Sequence, residues 1–183
     1  MSEIYLARAG ATEFDDEQRI VGTLDIPVSV KGRAEIDQLA HDLAEKDIGR
    51  IYTSNDTSAK ESAKLLGDLL GAKVRVLDDL HNIDFGLWQG LPVSEVRRKH
   101  PRLYKQWEEC PLGICPPAGE TVESVVERLQ KPLGKVVKRS RSEPVVLMLP
   151  NPLYKIVRCF IKKGELERVW ENGNPKLWEA LSV

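Results

Sequence analysis

The sequence predicts an α/β fold, a three-layer α/β/α sandwich with a mostly parallel central sheet. Short β-branched or apolar runs alternate with longer segments of helical periodicity along most of the chain. The run at 144–149 (PVVLML) is apolar throughout, as expected of a central parallel strand that is buried on both faces. No internal repeat and no linker divides the chain, so we expect a single domain over residues 1–183.

The first half of the chain supplies three strands and two helices. The run EIYLAR at 3–8, followed by Ala-Gly-Ala-Thr, predicts a buried first strand that ends in a turn. Apolar residues at helical spacing predict helices over 31–45 and 55–70. Short β-branched runs predict a second strand at 50–53 and, from its alternation, an edge or half-buried strand at 73–77.

Residues 78–119 form an irregular segment that is rich in Pro, Gly and Trp. Such a long stretch inside a compact domain is usually a functional insertion or lid, and we expect short helices in it at 93–99 and 103–109. Aromatic residues are concentrated here and near the end of the chain: Trp88, Tyr104, Trp107, Trp170 and Trp178. We expect them to pack the insertion onto the sheet, and a role in binding a ligand or partner is the alternative.

The last part of the chain predicts two helices around the 144–149 strand, at 120–137 and at 153–161. Pro132 should bend or split the first of them, because proline lacks a backbone N–H and clashes with the preceding turn. The tail at 172–183 carries Leu177, Trp178 and Leu181 at helical spacing. We expect the tail to dock on its own core or to form a homodimer contact.

Composition limits the function classes. With 42% apolar residues, 30% charged residues and a net charge of −1, the chain is neither disordered nor a general polyanion binder, so no nucleic-acid partner is expected. No apolar run is long enough for a signal peptide or a membrane span, which predicts a cytoplasmic protein without a membrane partner. The three cysteines Cys110, Cys115 and Cys159 fit neither a disulfide framework nor a common zinc pattern, so we expect no metal and no cofactor.

The segment at 4–14 (IYLARAGATEF) resembles the opening of the histidine phosphatase (phosphoglycerate mutase-like) superfamily, a strand followed by Arg-His-Gly-Glu-Thr. The similarity continues in the family's order at Arg19-Ile20, Gly22, Asp25-Ile26-Pro27, Gly32-Arg33, 52–54, 83–90, 117–121 and 145–155. The resemblance implies a phosphoglycerate mutase-like fold. As an activity it implies phosphoryl transfer through a phosphohistidine.

The same resemblance implies where the chemical residues of the family fall in this chain. They are replaced by Ala9 (nucleophilic histidine), Ser58 (second phosphate-binding arginine), Asn82 (general acid) and Pro150 (second histidine). Arg8 keeps the first arginine, and Asp15 stands where an asparagine usually helps to bind phosphate. Because an alanine cannot attack phosphorus, we expect no catalytic residue of the family mechanism in this chain.

The leading hypothesis is therefore a catalytically inactive pseudophosphatase that binds a protein partner or a small ligand in the former active-site cleft. The residues expected to line that cleft are Arg8, Asp15, Ser58, His81, Asn82 and Asn151. Asp15 is expected to pair with Arg8, which would leave a nearly neutral pocket and weak phosphate binding.

Two alternatives stay open at this point. One is a weak or altered phosphomonoester hydrolase or mutase-like enzyme with a rebuilt site, in which His81 beside the former acid position serves as acid or base. The other is a structural subunit. The remaining histidines, His41 and His100, are expected to be structural or at the surface, and Asp84 is expected to cap backbone amides.

Overall fold

The computed structural model describes residues 3–171 and 176–182. A five-stranded sheet has the order β3-β2-β4-β1-β5. Its strands are β1 (Glu3–Arg8), β2 (Arg50–Thr53), β3 (Lys73–Val76), β4 (Val145–Leu149) and β5 (Trp178–Ser182). The first four strands are parallel to one another, and β5 pairs antiparallel with β1. The carboxyl ends of β1, β2 and β4 therefore meet at one edge of the sheet.

Seven α-helices lie within the described ranges. They are α1 (Glu13–Asp16), α2 (Val30–Leu43), α3 (Thr57–Leu70), α4 (Val93–Lys99), α5 (Pro101–Glu109), α6 (Val122–Ser140) and α7 (Leu153–Ile161). Single 3₁₀ turns add Asp78–Leu80, Gly86–Trp88 and Leu166–Arg168. The predicted helices at 31–45, 55–70, 93–99, 103–109 and 153–161 are confirmed, with small differences at their ends.

Two cores lie on opposite faces of the sheet because successive strand side chains alternate in direction. Ile4 and Leu6 of β1 belong to the core that is completed by α6 and α7. Tyr5 and Ala7 of the same strand belong to the core that is completed by α2 and α3. This arrangement confirms the predicted three-layer α/β/α sandwich. The prediction for β4 is also confirmed, since it lies between β2 and β1 and all five of its residues are buried.

Two details of the predicted secondary structure are wrong. Helix α6 is not split at Pro132, because apolar residues on both sides of the proline, Leu129 and Leu133, are buried in the same core; a bend there stays a prediction. Trp178–Ser182 forms a strand rather than a helix, because pairing with β1 satisfies its backbone and places the Trp178 ring 6.0 Å from that of Tyr5. The rest of the predicted tail, at 172–175 and 183, lies outside the described residues.

The aromatic residues of the insertion pack onto the sheet as predicted. Trp88 is completely buried, and the ring of Trp107 lies 5.5 Å from that of Phe85 and 6.0 Å from that of Tyr104. Trp170, from beyond α7, stacks on Trp107 at 4.6 Å. In the described ranges no helix combines the length and apolarity needed to cross a membrane.

Candidate active site

The candidate site lies where β1 and β4 end side by side. The backbone N–H of Ala9 donates to the carbonyl of Leu149 at 2.8 Å, which holds the two following loops together. In open α/β sheets, ligands bind in the crevice beyond the carboxyl ends of the strands. Three adjoining cavities open here, and all of them are lined by Asp15 and Asn151.

Arg8, the last residue of β1, is held by a carboxylate that the sequence did not reveal. Its guanidinium lies 3.0 Å from Oε1 of Glu35 on α2 and also donates to the Ala9 carbonyl at 3.1 Å. The second oxygen of Glu35 accepts the backbone N–H of Ala11 at 2.9 Å. Glu35 therefore fixes Arg8 and the loop after β1 at the same time.

The predicted pair between Asp15 and Arg8 is wrong, because Asp15 is engaged by its own helix. One carboxylate oxygen of Asp15 accepts the backbone N–H of Thr12 at 2.7 Å and its hydroxyl at 2.8 Å. The hydroxyl of Thr12 accepts the N–H of Asp15 in return, which completes a capping box at α1. Asp15 nevertheless lines all three cavities, so its side chain belongs to the site.

Helix α2 brings Glu35 to the site because Gly32 lets it approach the loop after β1. A Cβ atom on Gly32 would lie 2.2 Å from the carbonyl oxygen of Ala11, a distance that no side chain allows. Glu35 is three residues further along α2, on the same face of the helix. The glycine was the only available signal for Glu35, and it does not specify a carboxylate.

A cavity of about 10 Å³ faces Ala9, with Ser58, Asp15 and Asn151 among its lining residues. Its size matches one water molecule. The side-chain oxygen Oδ1 of Asn151 is buried without a hydrogen-bond partner, and Ser58 is almost completely buried in the first turn of α3. A cavity of this size that is lined by Asp15, Ser58 and Asn151 is a suitable site for one ordered water.

The neighbouring cavity, of about 300 Å³, brings together Arg8, Asp16, Lys31 and Glu35 with Asp15 and Asn151. Lys31 pairs with Asp16 at 2.7 Å, and Arg8 pairs with Glu35. Both cations therefore already have counter-ions. An incoming phosphate has to compete with these carboxylates, which agrees with the expected weak phosphate binding.

Asn82, which the resemblance aligns with the family's general acid, is completely buried and acts as a structural brace. Its Nδ2 donates to the carbonyls of Gly22 and Asn151 at 3.0 and 3.2 Å. Its Oδ1 accepts the backbone N–H groups of Ile83 and Leu153 at 3.0 and 3.3 Å. Asn82 fixes the backbone around the site and lines none of the three cavities.

His81 also lies away from the cavities. Its Nδ1 is 2.9 Å from the carbonyl oxygen of Asn82, and its side chain lines none of the three. Its charged neighbour is Asp56, which accepts the N–H of Asn82 at 2.9 Å. Burial raises the pKa of Asp56, and the Asn82 amide and His81 oppose this shift. The structure thus brings together Arg8, Ala9, Asp15, Ser58, Pro150 and Asn151, but not His81 and Asn82.

The largest of the three cavities, about 440 Å³, lies between the insertion and the loop after β4. An aromatic wall lines it, formed by Phe85, Tyr104, Trp107 and Trp170. The charged side chains around the cavity include Arg97, Glu108 and Lys155. Burial lowers the pKa of Lys155. Sequence reasoning favoured a packing role over a binding role for the aromatic residues and did not find Lys155. In the described ranges no group of three or more His, Cys, Asp or Glu residues could hold a metal ion.

Asp84 lies at the base of the insertion, where its side chain accepts the backbone N–H of Gly86 at 2.7 Å. The predicted capping role of Asp84 is therefore confirmed. Gly86 has a φ of 49°, and a Cβ atom there would lie 2.2 Å from the Pro117 carbonyl oxygen. The turn therefore requires glycine at position 86 and an acceptor at position 84.

The family is established by a direct match. A model of the histidine phosphatase superfamily (branch 1) matches residues 4–177, and the chain therefore belongs to this superfamily. The chain is 27% identical over 173 residues to phosphoserine phosphatase 1 of Hydrogenobacter thermophilus. That alignment covers 94% of this chain and 82% of the relative.

Solved structures agree on the fold. A mycobacterial glucosyl-3-phosphoglycerate phosphatase in complex with VO3 superposes with a TM-score of 0.89 at 24% identity, covering 100% of this chain and 91% of that one. The alpha-ribazole phosphatase from Shigella flexneri gives a TM-score of 0.85 at 15% identity, covering 99% and 90%. At these identities the likeness shows the fold, and it confirms the predicted phosphoglycerate mutase-like architecture.

The expectation that this chain is not an enzyme is contradicted by these comparisons. Phosphoserine phosphatase 1, the relative that aligns with 94% of this chain, is a named phosphatase. The inference failed because it equated one mechanism with the whole activity. An alanine at position 9 excludes attack by a histidine at that position, but it does not exclude attack by water.

Proposed function

We propose that this protein is an altered phosphomonoester hydrolase in which a water molecule attacks phosphorus directly. The observation that carries the proposal is the water-sized cavity in front of Ala9, which is lined by Asp15, Ser58 and Asn151. Arg8 lines both this cavity and the neighbouring one of about 300 Å³, and it is the cation for the phosphate oxygens. The family membership and the named phosphatases among the relatives support a phosphate ester as substrate.

In the proposed step, one water O–P bond forms as the P–O bond to the alcohol breaks. Asn151 Oδ1 and the Ser58 hydroxyl orient the water, and the carboxylate of Asp15, which lines the same cavity, accepts its proton. Arg8 stabilises the negative charge on the phosphoryl oxygens. The leaving alkoxide takes a proton from solvent, because Asn82 cannot supply one and is held by four hydrogen bonds.

This mechanism predicts a slow enzyme. Each missing oxyanion donor costs about 10²–10³ in kcat. Arg8 is the one arginine among the described residues that line the two cavities proposed to hold the water and the phosphate. The pairing of Arg8 with Glu35 weakens substrate binding further. We therefore expect KM values above about 1 mM, the upper end of the usual range.

The test uses purified protein, a panel of phosphomonoesters and three variants. Arg8→Gln removes the charge, and Asp15→Asn keeps an oxygen that can accept the Thr12 N–H. Arg75→Gln is the matched control, since Arg75 is exposed on β3 at the sheet edge. We expect kcat/KM to fall at least about tenfold in the first two variants and to stay within about twofold in the control.

Two outcomes would overturn the proposal. One is the absence of hydrolysis above background across the panel, and the other is full activity in Arg8→Gln, which would indicate a contaminating phosphatase. Reactions with ³²P-labelled substrate that are quenched in alkaline detergent add a test of mechanism, because a phosphohistidine survives alkali but not acid. Direct attack by water leaves no labelled protein, whereas label on the chain would show a covalent phosphoenzyme and refute attack by water.

A further inference from the structure

The cavity of about 440 Å³ beside the proposed phosphate site has a distinct chemistry of its own. Phe85, Tyr104, Trp107 and Trp170 form an aromatic wall, with Trp107 and Trp170 stacked at 4.6 Å. The volume lies within the range of sites for small molecules and exceeds what a phosphoryl group occupies. Because it shares Asp15 and Asn151 with the water-sized cavity, it is placed to hold the alcohol portion of a phosphate ester.

The cations of this cavity differ in their pairing. Arg97 pairs with Glu108 at 3.0 Å, and Arg19 pairs with Glu17 at 2.6 Å while also donating to the Gly90 carbonyl. Lys155 is half-buried and forms no ion pair or side-chain hydrogen bond with any described residue. A partly desolvated ammonium without a counter-ion favours an anionic ligand group.

Further unpaired donors lie in the aromatic wall. The indole Nε1–H groups of Trp107 and Trp170 are buried without a hydrogen-bond partner. The side chain of Trp107 is more than nine-tenths buried. Buried indole N–H groups usually have a partner. The carboxylates of Asp15 and Glu108 line the same cavity and repel a second negative charge on the ligand.

We propose that this cavity binds the alcohol portion of the substrate, and that this portion is a ring bearing one carboxylate. The aromatic wall packs against the ring, and Lys155 pairs with the carboxylate. This substrate class rests on the proposed hydrolase function, but the binding site itself does not depend on turnover. Lys155 is then the residue that determines specificity for the acidic ring over the neutral one.

The test measures binding with two ligands that cannot be hydrolysed, benzylphosphonate and 4-carboxybenzylphosphonate. Tryptophan fluorescence reports binding, because two indoles line the cavity. In the wild type we expect the added carboxylate to lower Kd about tenfold. In Lys155→Met this gain disappears while the Kd of benzylphosphonate changes less than about twofold, and in Lys155→Arg the gain returns.

Lys64→Met is the matched control, since Lys64 is exposed on α3, and it should keep the full gain. An equal gain in Lys155→Met, or no gain in the wild type, would overturn the inference. Turnover of 4-carboxybenzyl phosphate then tests the proposed function separately. A Lys155-dependent gain in binding without any turnover would refute the hydrolase and support the acidic-ring site.

Discussion

Replacement of Asn82 by alanine tests whether this residue is a structural brace. The amide makes four hydrogen bonds, two as donor to the carbonyls of Gly22 and Asn151 and two as acceptor from the N–H groups of Ile83 and Leu153. Three of the four bonds, those to Gly22, Asn151 and Leu153, connect Asn82 to backbone segments that are distant in sequence. Asn82→Ala removes every one of them in a single step.

The magnitude follows from the groups that are left behind. Each buried polar group without a partner costs about 1–3 kcal/mol, and the two N–H groups lose an acceptor in a site that is closed to solvent. The two carbonyl groups tolerate the loss of a donor better, because a carbonyl oxygen has two lone pairs and is more often found with an incomplete set of hydrogen bonds than an N–H group is. We therefore expect the free energy of unfolding to fall by about 3–5 kcal/mol.

Urea unfolding followed by tryptophan fluorescence measures this change. Asn55→Ala is the control, since Asn55 is exposed in the same region of the fold, and it should change stability by less than about 0.5 kcal/mol. A loss below about 1 kcal/mol in Asn82→Ala would refute the bracing role.

Three further predictions concern charges in and around the site. Glu35→Gln removes the counter-ion of Arg8 but keeps an acceptor for the Ala11 N–H, so inorganic phosphate should bind about tenfold more tightly by calorimetry. Unchanged affinity would show that Glu35 does not compete with phosphate for Arg8. Burial raises the pKa of Asp56, so this carboxyl ionises at a lower pH in the unfolded state than in the folded state. The free energy of unfolding of the wild type should therefore fall as the pH rises from the ordinary carboxyl pKa through the pKa of Asp56 in the folded state. Asp56→Asn should lose this dependence in urea unfolding, and an identical pH profile in both proteins would contradict it. Lys155→Met removes a half-buried cation, so its urea midpoint at pH 7 should rise; a fall would show that Lys155 has a stabilising partner.

The layers of the fold were predictable because local signals and burial agree. The run at 144–149 is apolar at every position, and the structure places β4 between two parallel neighbours with both faces covered. The tail was not predictable, because Leu177, Trp178 and Leu181 satisfy a helical period only by coincidence. Pairing with the free edge of β1 decides its conformation, and such long-range pairing leaves no local signal.

The site was predictable only in part. Family motifs located Arg8, Ser58 and Asn151 because these follow strands or begin a helix at the same edge of the sheet. They did not locate Glu35 or Lys155, which lie on helix faces where a charged residue ordinarily indicates exposure. The resemblance also suggested a cleft position for His81, but the geometry of the Asn82 brace turns that stretch of backbone away from the cavities.

The pairing of β1 has a consequence for how the chain is made. Both neighbours of this first strand lie late in the sequence, at Val145–Leu149 and Trp178–Ser182. A ribosome therefore releases the strand that carries Arg8 long before either partner exists, and its apolar residues remain exposed in the meantime. The proposed site cannot assemble until β4 and Asn151 have been synthesised, and nascent chains that end before β4 should depend on chaperones to stay soluble.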